Sequence, residues 1–215
     1  MPLDEARGEE QNLNGQERDW KVLGVGADAL KNAMRLFPSG VTVVTTGSGE
    51  QAEGMTANAV ISVSLEPPLF LVSVHKEARI NGRIREEGYY AVNVLAGDQE
   101  GLSRLFASPE RSSGLQAVHS LGGGYGATGA PLAAGALAVV ECEVESVYQA
   151  GDHDLFIGRL VEARLGDTRQ GPLVYHEGGY PTLKSGPAPG DSGAFVDSVR
   201  GFDARLSRLG KKRRH

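Results

Sequence analysis

The chain has 215 residues, 40% apolar and 23% charged, an ordinary globular composition long enough for one domain with a sizeable core. A net charge of −5 gives no overall basic field for nucleic acid, the one local exception being Lys211-Lys212-Arg213-Arg214-His215. One cysteine, Cys142, excludes an internal disulfide framework and a cysteine-rich zinc site, and no apolar run approaches the ~20 residues of a membrane span.

The N-terminus is rich in Asp, Glu and Gln and lacks the basic-then-apolar layout of a secretory signal, so a cytoplasmic protein is expected. Residues 1–26 read as a flexible arm, with Trp20 and Val22 docking late. Asp28 is a candidate N-cap; Leu30, Met34 and Phe37 then share one helical stripe, and Pro38 ends the helix. From Gly40 the pattern changes to strands. Val41–Thr46 is β-branched and stops at Gly47-Ser48-Gly49; Thr56–Leu65 is the next strand, closed by Glu66-Pro67-Pro68, and Leu69–His75 follows.

A helix over Ala78–Glu87 ends at Gly88, where a C-cap glycine belongs, and Tyr89–Leu95 returns as strand. Asp98 caps a further helix with Leu102, Leu105 and Phe106 facing inward, and residues 108–130 read as irregular. Val140, Cys142 and Val144 alternate with Glu141, Glu143 and Glu145, the pattern of a half-buried antiparallel strand. Cys142 there reads as a small buried hydrophobe. The Gly151-Asp152 turn leads to Leu155–Leu165, and Leu173–His176 is the last strand. Seven or so strands with few helices predict a mainly β (α+β) fold, an antiparallel barrel that removes its own sheet edges. The barrel domain spans 27–183; residues 184–215 read as a Gly/Pro-rich linker and a basic tail with Phe195, Val199, Phe202, Leu206 and Leu209 at helical spacing.

Several catalytic templates are absent: no G-x-G-x-x-G between strand and helix, no Walker motif and no G-x-S-x-G elbow. The histidines at 75, 119, 153, 176 and 215 show no metal-ligand spacing, and no metal is expected. Small and hydroxylic residues do recur at strand ends, in Gly54-Met55-Thr56-Ala57-Asn58 and Ser62-Val63-Ser64. Such residues let the backbone approach a flat polar ligand, although a plain turn and polar barrel face use them equally.

An ordered series of segments carries more. Gly40-Val-Thr-Val-Val-Thr-Thr46, Gly54-Met-Thr-Ala-Asn58, Ser62-Val-Ser-Leu-Glu-Pro-Pro68, Val92-Asn-Val-Leu95, Leu102-Ser-x-x-Phe-Ala107, Gly129-Ala-Pro-Leu132, Glu141-Cys142 and Gly151-Asp-His153 occur in this order. From Ala33 to Leu183 the chain closely resembles the flavin reductase-like, FMN-binding split-barrel family. That family includes the reductase components of two-component flavin-dependent monooxygenases. The resemblance implies a homodimeric antiparallel split β-barrel with a few flanking helices, binding FMN or FAD near the subunit interface and taking hydride from NADH or NADPH.

By the same resemblance Thr56, Ala57 and Asn58 line the isoalloxazine, and Ser73, Val74, Ala78 and Arg79 run along the ribityl phosphate. Phe106 and Ala107 close over the flavin through main-chain contacts, and His153 stands near the nicotinamide. Relatives often carry serine where this chain has Ala78, which leaves backbone N–H groups, Arg79 or Lys76 to hold the phosphate. The implied activity is NAD(P)H:flavin oxidoreduction, with reduced flavin passed to a partner monooxygenase. Two other readings stay open: a flavoprotein that keeps its flavin for another small substrate, and a non-enzymatic flavin-binding module.

Overall fold

The computed structural model describes residues 21–183, which divide into two units between Phe37 and Pro38. Residues 1–20 of the expected arm, and the linker and tail from 184 onward, lie outside the described residues. The first unit carries α1 (Ala27–Met34). Its N-cap position is Gly26, so Asp28 sits inside the first turn instead of capping it, where its charge still complements the helix dipole. The stripe of Leu30, Met34 and Phe37 is exposed.

In the second unit, β1 (Ser39–Gly40) pairs with β11 (Val174–Tyr175), and β7 (Gly122–Tyr125) with β8 (Pro131–Ala133). The main sheet is antiparallel with the order β3-β2-β6-β9-β10-β5-β4: Glu53–Ala57, Thr42–Thr46, Tyr89–Val94, Ala138–Ala150, His153–Leu165, Pro68–His75 and Val60–Leu65. Its two edges, β3 and β4, do not pair with each other, so the barrel is open and the expected removal of sheet edges does not hold. The single strand expected over Thr56–Leu65 is these two edges. Asn58 and Ala59 take the chain round the corner from one to the other, so the sheet must curl until its edges meet there.

β2 is buried along its whole length because both of its faces are covered. Val44 packs inside the curled sheet with Val72, Val74, Tyr90, Val92, Cys142 and Phe156, and Ile80 and Ile84 of α2 (Arg79–Glu87) fill the same core. Val43 faces the other way, into a core with Phe106 of α3 (Glu100–Ala107) and Ala117 and Leu121 of α4 (Gly114–Leu121). Tyr90, Phe106 and Phe156 are fully buried, each side chain contributing roughly 1.5–3 kcal/mol by its transfer from water. Gly158 lets this happen: a Cβ there would stand 2.6 Å from the Tyr90 hydroxyl, which donates to the Phe70 carbonyl at 2.8 Å. Burial also pushes the Cys142 thiol up to about 11, so it stays an inert core group.

Four local expectations fail for identifiable reasons. Asp98 does not cap α3; Gln99 holds the N-cap position, its side chain accepting the Ala96 N–H, and Leu105 is exposed. Residues 108–130 are not irregular, since α4 forms there with only the small Gly114 and Ala117 and the terminal Leu121 buried, a face with little apolar signal. Glu141 is fully buried although the alternation places it outward, because the segment around Gly126 and Thr128 covers that face of β9, opposite Cys142. Its Oε2 accepts the Thr128 N–H and hydroxyl, each at 2.9 Å. The last strand shortens to Val174–Tyr175, followed by a two-residue turn in which Glu177 and Gly178 both have positive φ.

Candidate functional site

The site is built along the edge strand β3. At its C-terminal end a cavity of about 220 Å³ is lined by Val41, Thr56, Ala57, Asn58, Ala107, Tyr175 and Tyr180. The Thr56 hydroxyl donates to the Ser103 carbonyl at 2.6 Å and the Asn58 amide donates to the Ser39 hydroxyl at 3.0 Å. Thr56 spends its one donor on the protein and Asn58 one of its two, which leaves oxygen lone pairs and one amide N–H for a ligand. The opposite wall is aromatic. The turn at Glu177-Gly178 folds Tyr180 back beside Tyr175, with ring centroids 5.4 Å apart, and the Tyr180 hydroxyl bonds Ser103 at 2.8 Å. The Arg104 guanidinium covers the Tyr180 ring at 5.1 Å.

The N-terminal end of β3 is cationic. Arg111 donates from Nε to the Gly54 carbonyl at 2.9 Å and from Nη1 to the Ser108 carbonyl. Arg79 donates to the Arg111 carbonyl at 2.9 Å and stands 3.6 Å from Glu53 Oε2, a buried oxygen with no hydrogen bond of its own. Burial, and then the nearness of Arg79, hold the Arg111 guanidinium below its usual range. Two guanidiniums facing one carboxylate leave a net positive pole. From Glu53 to Ala57 the strand advances about 13 Å at ~3.3 Å per residue, so the cationic pole and the neutral cavity lie apart along one edge. Gly54 allows α3 to pack closely on this strand: a Cβ there would lie 2.5 Å from the buried Phe106 ring.

The predicted residues therefore separate. Thr56, Ala57, Asn58 and Ala107 share the cavity, while Phe106 lies behind Gly54 in the core. Ser73 ties β5 to the corner of the sheet, its N–H donating to the Ala59 carbonyl at 3.0 Å. Val74, next along the strand, is fully buried in the core, so its side chain cannot meet a ligand; strand alternation sends it to the opposite face. Ala78 holds the N-cap position of α2 with no side-chain cap, and its N–H is already given to the His75 carbonyl. Lys76 donates to the Gly151 carbonyl at 2.7 Å. Arg79 reaches the cationic pole. His153 is the first residue of β10 and faces outward with Ser73 and His75, outside the cavity lining.

Sequence reasoning missed Arg111, Tyr175, Tyr180 and a buried clamp beneath the α2 turn. Asn81 donates to the carbonyls of Val74 and His75 and to Asp154 Oδ2, which also binds Arg85 at 2.8 Å. The Arg85 bond holds the Asp154 carboxyl below the usual range. The available signals were weak: Tyr180 follows a glycine pair, Gly178-Gly179, and Arg111 stands four residues past the end of α3. Among the described residues no group of three His, Cys, Asp or Glu side chains could hold a metal ion, and no helix is long and apolar enough to cross a membrane.

An open antiparallel sheet with a ring-sized cavity and a cationic pole on one edge strand defines a split-barrel protein suited to a flat heteroaromatic ligand with an anionic tail. Comparison with known proteins gives the same class. The flavin reductase like domain matches residues 34–184. An NADH-dependent FMN reductase of Streptomyces nodosus subsp. asukaensis, AsuE2, is 45% identical over 170 residues, covering 79% of this chain and 91% of the relative. The crystal structure of BorF, the flavin reductase component of a bacterial two-component tryptophan halogenase, is 44% identical with a TM-score of 0.69, covering 74% of this chain and 99% of that one. SgcE6 of Streptomyces globisporus, an NADH:FAD oxidoreductase solved with NAD and FAD fragments, is 34% identical with a TM-score of 0.67 over 76% of this chain and 94% of that one. The chain belongs to the flavin reductase like family.

Proposed function

We propose that the protein is an NADH-dependent flavin reductase that binds FMN or FAD along β3, ring in the Thr56–Asn58 cavity and phosphate at Arg79 and Arg111. The observation that carries this reading is the pairing of a neutral, aromatic-walled cavity with a cationic pole on a single strand edge. When bound, the flavin supplies a ring nitrogen that accepts hydride from the nicotinamide. The chain's own residues bind and orient. Thr56 and Asn58 offer acceptors at the ring edge, Tyr175 and Tyr180 limit its tilt, and Arg79 and Arg111 neutralise the phosphate. Ser73 and Ala78 border the path between ring and phosphate, Ala107 closes the cavity, and His153 contacts the nicotinamide. No protein nucleophile is needed, which agrees with the absence of a triad in the sequence.

A second copy of the chain completes the assembly in this reading. The outward face of β4, β5 and β10 carries Ile61, Leu71 and Ile157 in one register row, with Val63 and Leu65 also exposed. An apolar sheet face of this kind suits a homodimer contact, and it continues to Ser73 and His153. The resemblance of BorF and other reductase components supports delivery of reduced flavin to a partner monooxygenase. NADH consumption followed by absorbance, with FMN, FAD and riboflavin offered separately, tests the proposal. Turnover that scales with added flavin is expected; no turnover with any flavin would overturn it.

A further inference from the structure

His75 and His153 are direct cross-strand partners at the ends of β5 and β10, on the same outward face as Ser73. Their rings stand edge to face, 5.2 Å apart at 83°. Asp152, in the preceding turn, faces both. Its Oδ1 lies 2.7 Å from His153 Nδ1 and its Oδ2 3.8 Å from His75 Nε2. The turn is pinned to β5 by Lys76, whose N–H donates to the Asp152 carbonyl at 2.9 Å and whose Nζ donates to the Gly151 carbonyl.

These contacts are consistent with one placement of the ring protons. The Glu77 backbone N–H donates to His75 Nδ1 at 3.2 Å, and only an unprotonated nitrogen can accept. With Nδ1 accepting, Nε2 is the His75 nitrogen that carries a proton on the side of Asp152, 3.8 Å away. An ionised carboxylate accepts only, so the proton between Asp152 and His153 belongs to His153 Nδ1. That bond keeps the Asp152 carboxyl below its usual range. His153 Nε2 is then the nitrogen left to face a ligand.

We propose that His75 is a positioning residue for hydride transfer, acting through Asp152 to hold His153 with Nδ1 protonated and Nε2 available to accept from the nicotinamide carboxamide. This rests on the reading of His153 as a nicotinamide contact. It differs from a structural role because it fixes a tautomer, and hence the turnover step, while leaving flavin binding alone.

The test combines NMR of the full-length protein labelled with ¹⁵N-histidine, recorded above the histidine titration range, with NADH oxidation in the presence of FMN. The wild-type protein should show His153 protonated at Nδ1. His75→Phe keeps a ring and removes the N–H; it should shift His153 toward the Nε2–H tautomer and lower kcat about tenfold, with KM for FMN within about twofold. His75→Gln returns an N–H toward Asp152 and should recover the tautomer and most of the rate. A His75→Phe protein with wild-type tautomer and kcat would overturn the proposal, as would a His75→Gln protein as slow as His75→Phe. His153→Ala separates the two layers. Unchanged turnover in that variant removes the nicotinamide role itself, whereas slowed turnover there beside an unaffected His75→Phe removes only the link through Asp152.

Discussion

The two ends of β3 carry different chemistry, and the proposed function gives them different parts of one ligand. At Ala57 the lining is uncharged: short side chains, one amide, one hydroxyl and two tyrosine rings. At Glu53 two guanidiniums from distant segments converge on backbone carbonyls and one carboxylate. The first end binds by shape, apolar contact and lone-pair acceptors, so salt should affect it little. The second binds by charge, which falls off with ionic strength. In the proposed function an FMN molecule engages both, while riboflavin, which has no phosphate, reports on the first alone.

Arg111→Ala gives the largest break in this comparison. Losing a charge-assisted hydrogen bond to phosphate, worth roughly 1.5–3 kcal/mol, should weaken FMN about tenfold to a hundredfold. Riboflavin should bind as before. Fluorescence titration of both flavins measures this, with thermal unfolding as a control because Arg111 also ties Gly54 to Ser108. Equal loss for riboflavin would mean that the two ends are not separate.

Tyr180→Ala tests the other end. Removing the ring takes away one aromatic contact of about 0.5–1.5 kcal/mol, so FMN and riboflavin should weaken together by about twofold to tenfold. Tyr180→Phe keeps the ring and loses only the bond to Ser103; its flavin affinity should stay within about twofold of wild type. A Tyr180→Ala protein weakened for FMN but not for riboflavin would move Tyr180 to the phosphate side.

The same contrast explains what the sequence made legible. The neutral end is written in one local run, Gly54 to Asn58, and the β-branched and alternating segments that carry it read directly as strands. Its aromatic wall was not legible, because Tyr180 reaches Tyr175 only through a positive-φ glutamate that no propensity favours. The cationic end is assembled from residues 53–54, 79 and 111, and nothing in their spacing marks them as neighbours. Glu141 misled for a related reason: its own alternation holds, but the segment around Thr128, invisible in that pattern, covers the face it points to. His153 was legible as part of the Gly151-Asp-His153 motif, but its cross-strand partner His75 lies far away along the chain.

The smallest predicted effect is at Ala78, at the start of α2. Its side chain makes no cap at the start of α2, and its backbone conformation there is extended, as an N-cap requires. A hydroxyl at this position has two competing uses. Turned toward the ligand, it adds a donor for phosphate; turned toward the helix, it accepts a first-turn N–H. Arg79 and Arg111 already supply the charge, and the Ala78 N–H is committed to His75, so the added donor should act alone. Ala78→Ser should therefore tighten FMN by no more than about tenfold, with riboflavin unchanged. If capping wins instead, thermal stability rises by about 0.5–2 kcal/mol and neither flavin binds more tightly. That second result would place the phosphate wholly on the arginine pair and leave the turn before α2 as scaffold.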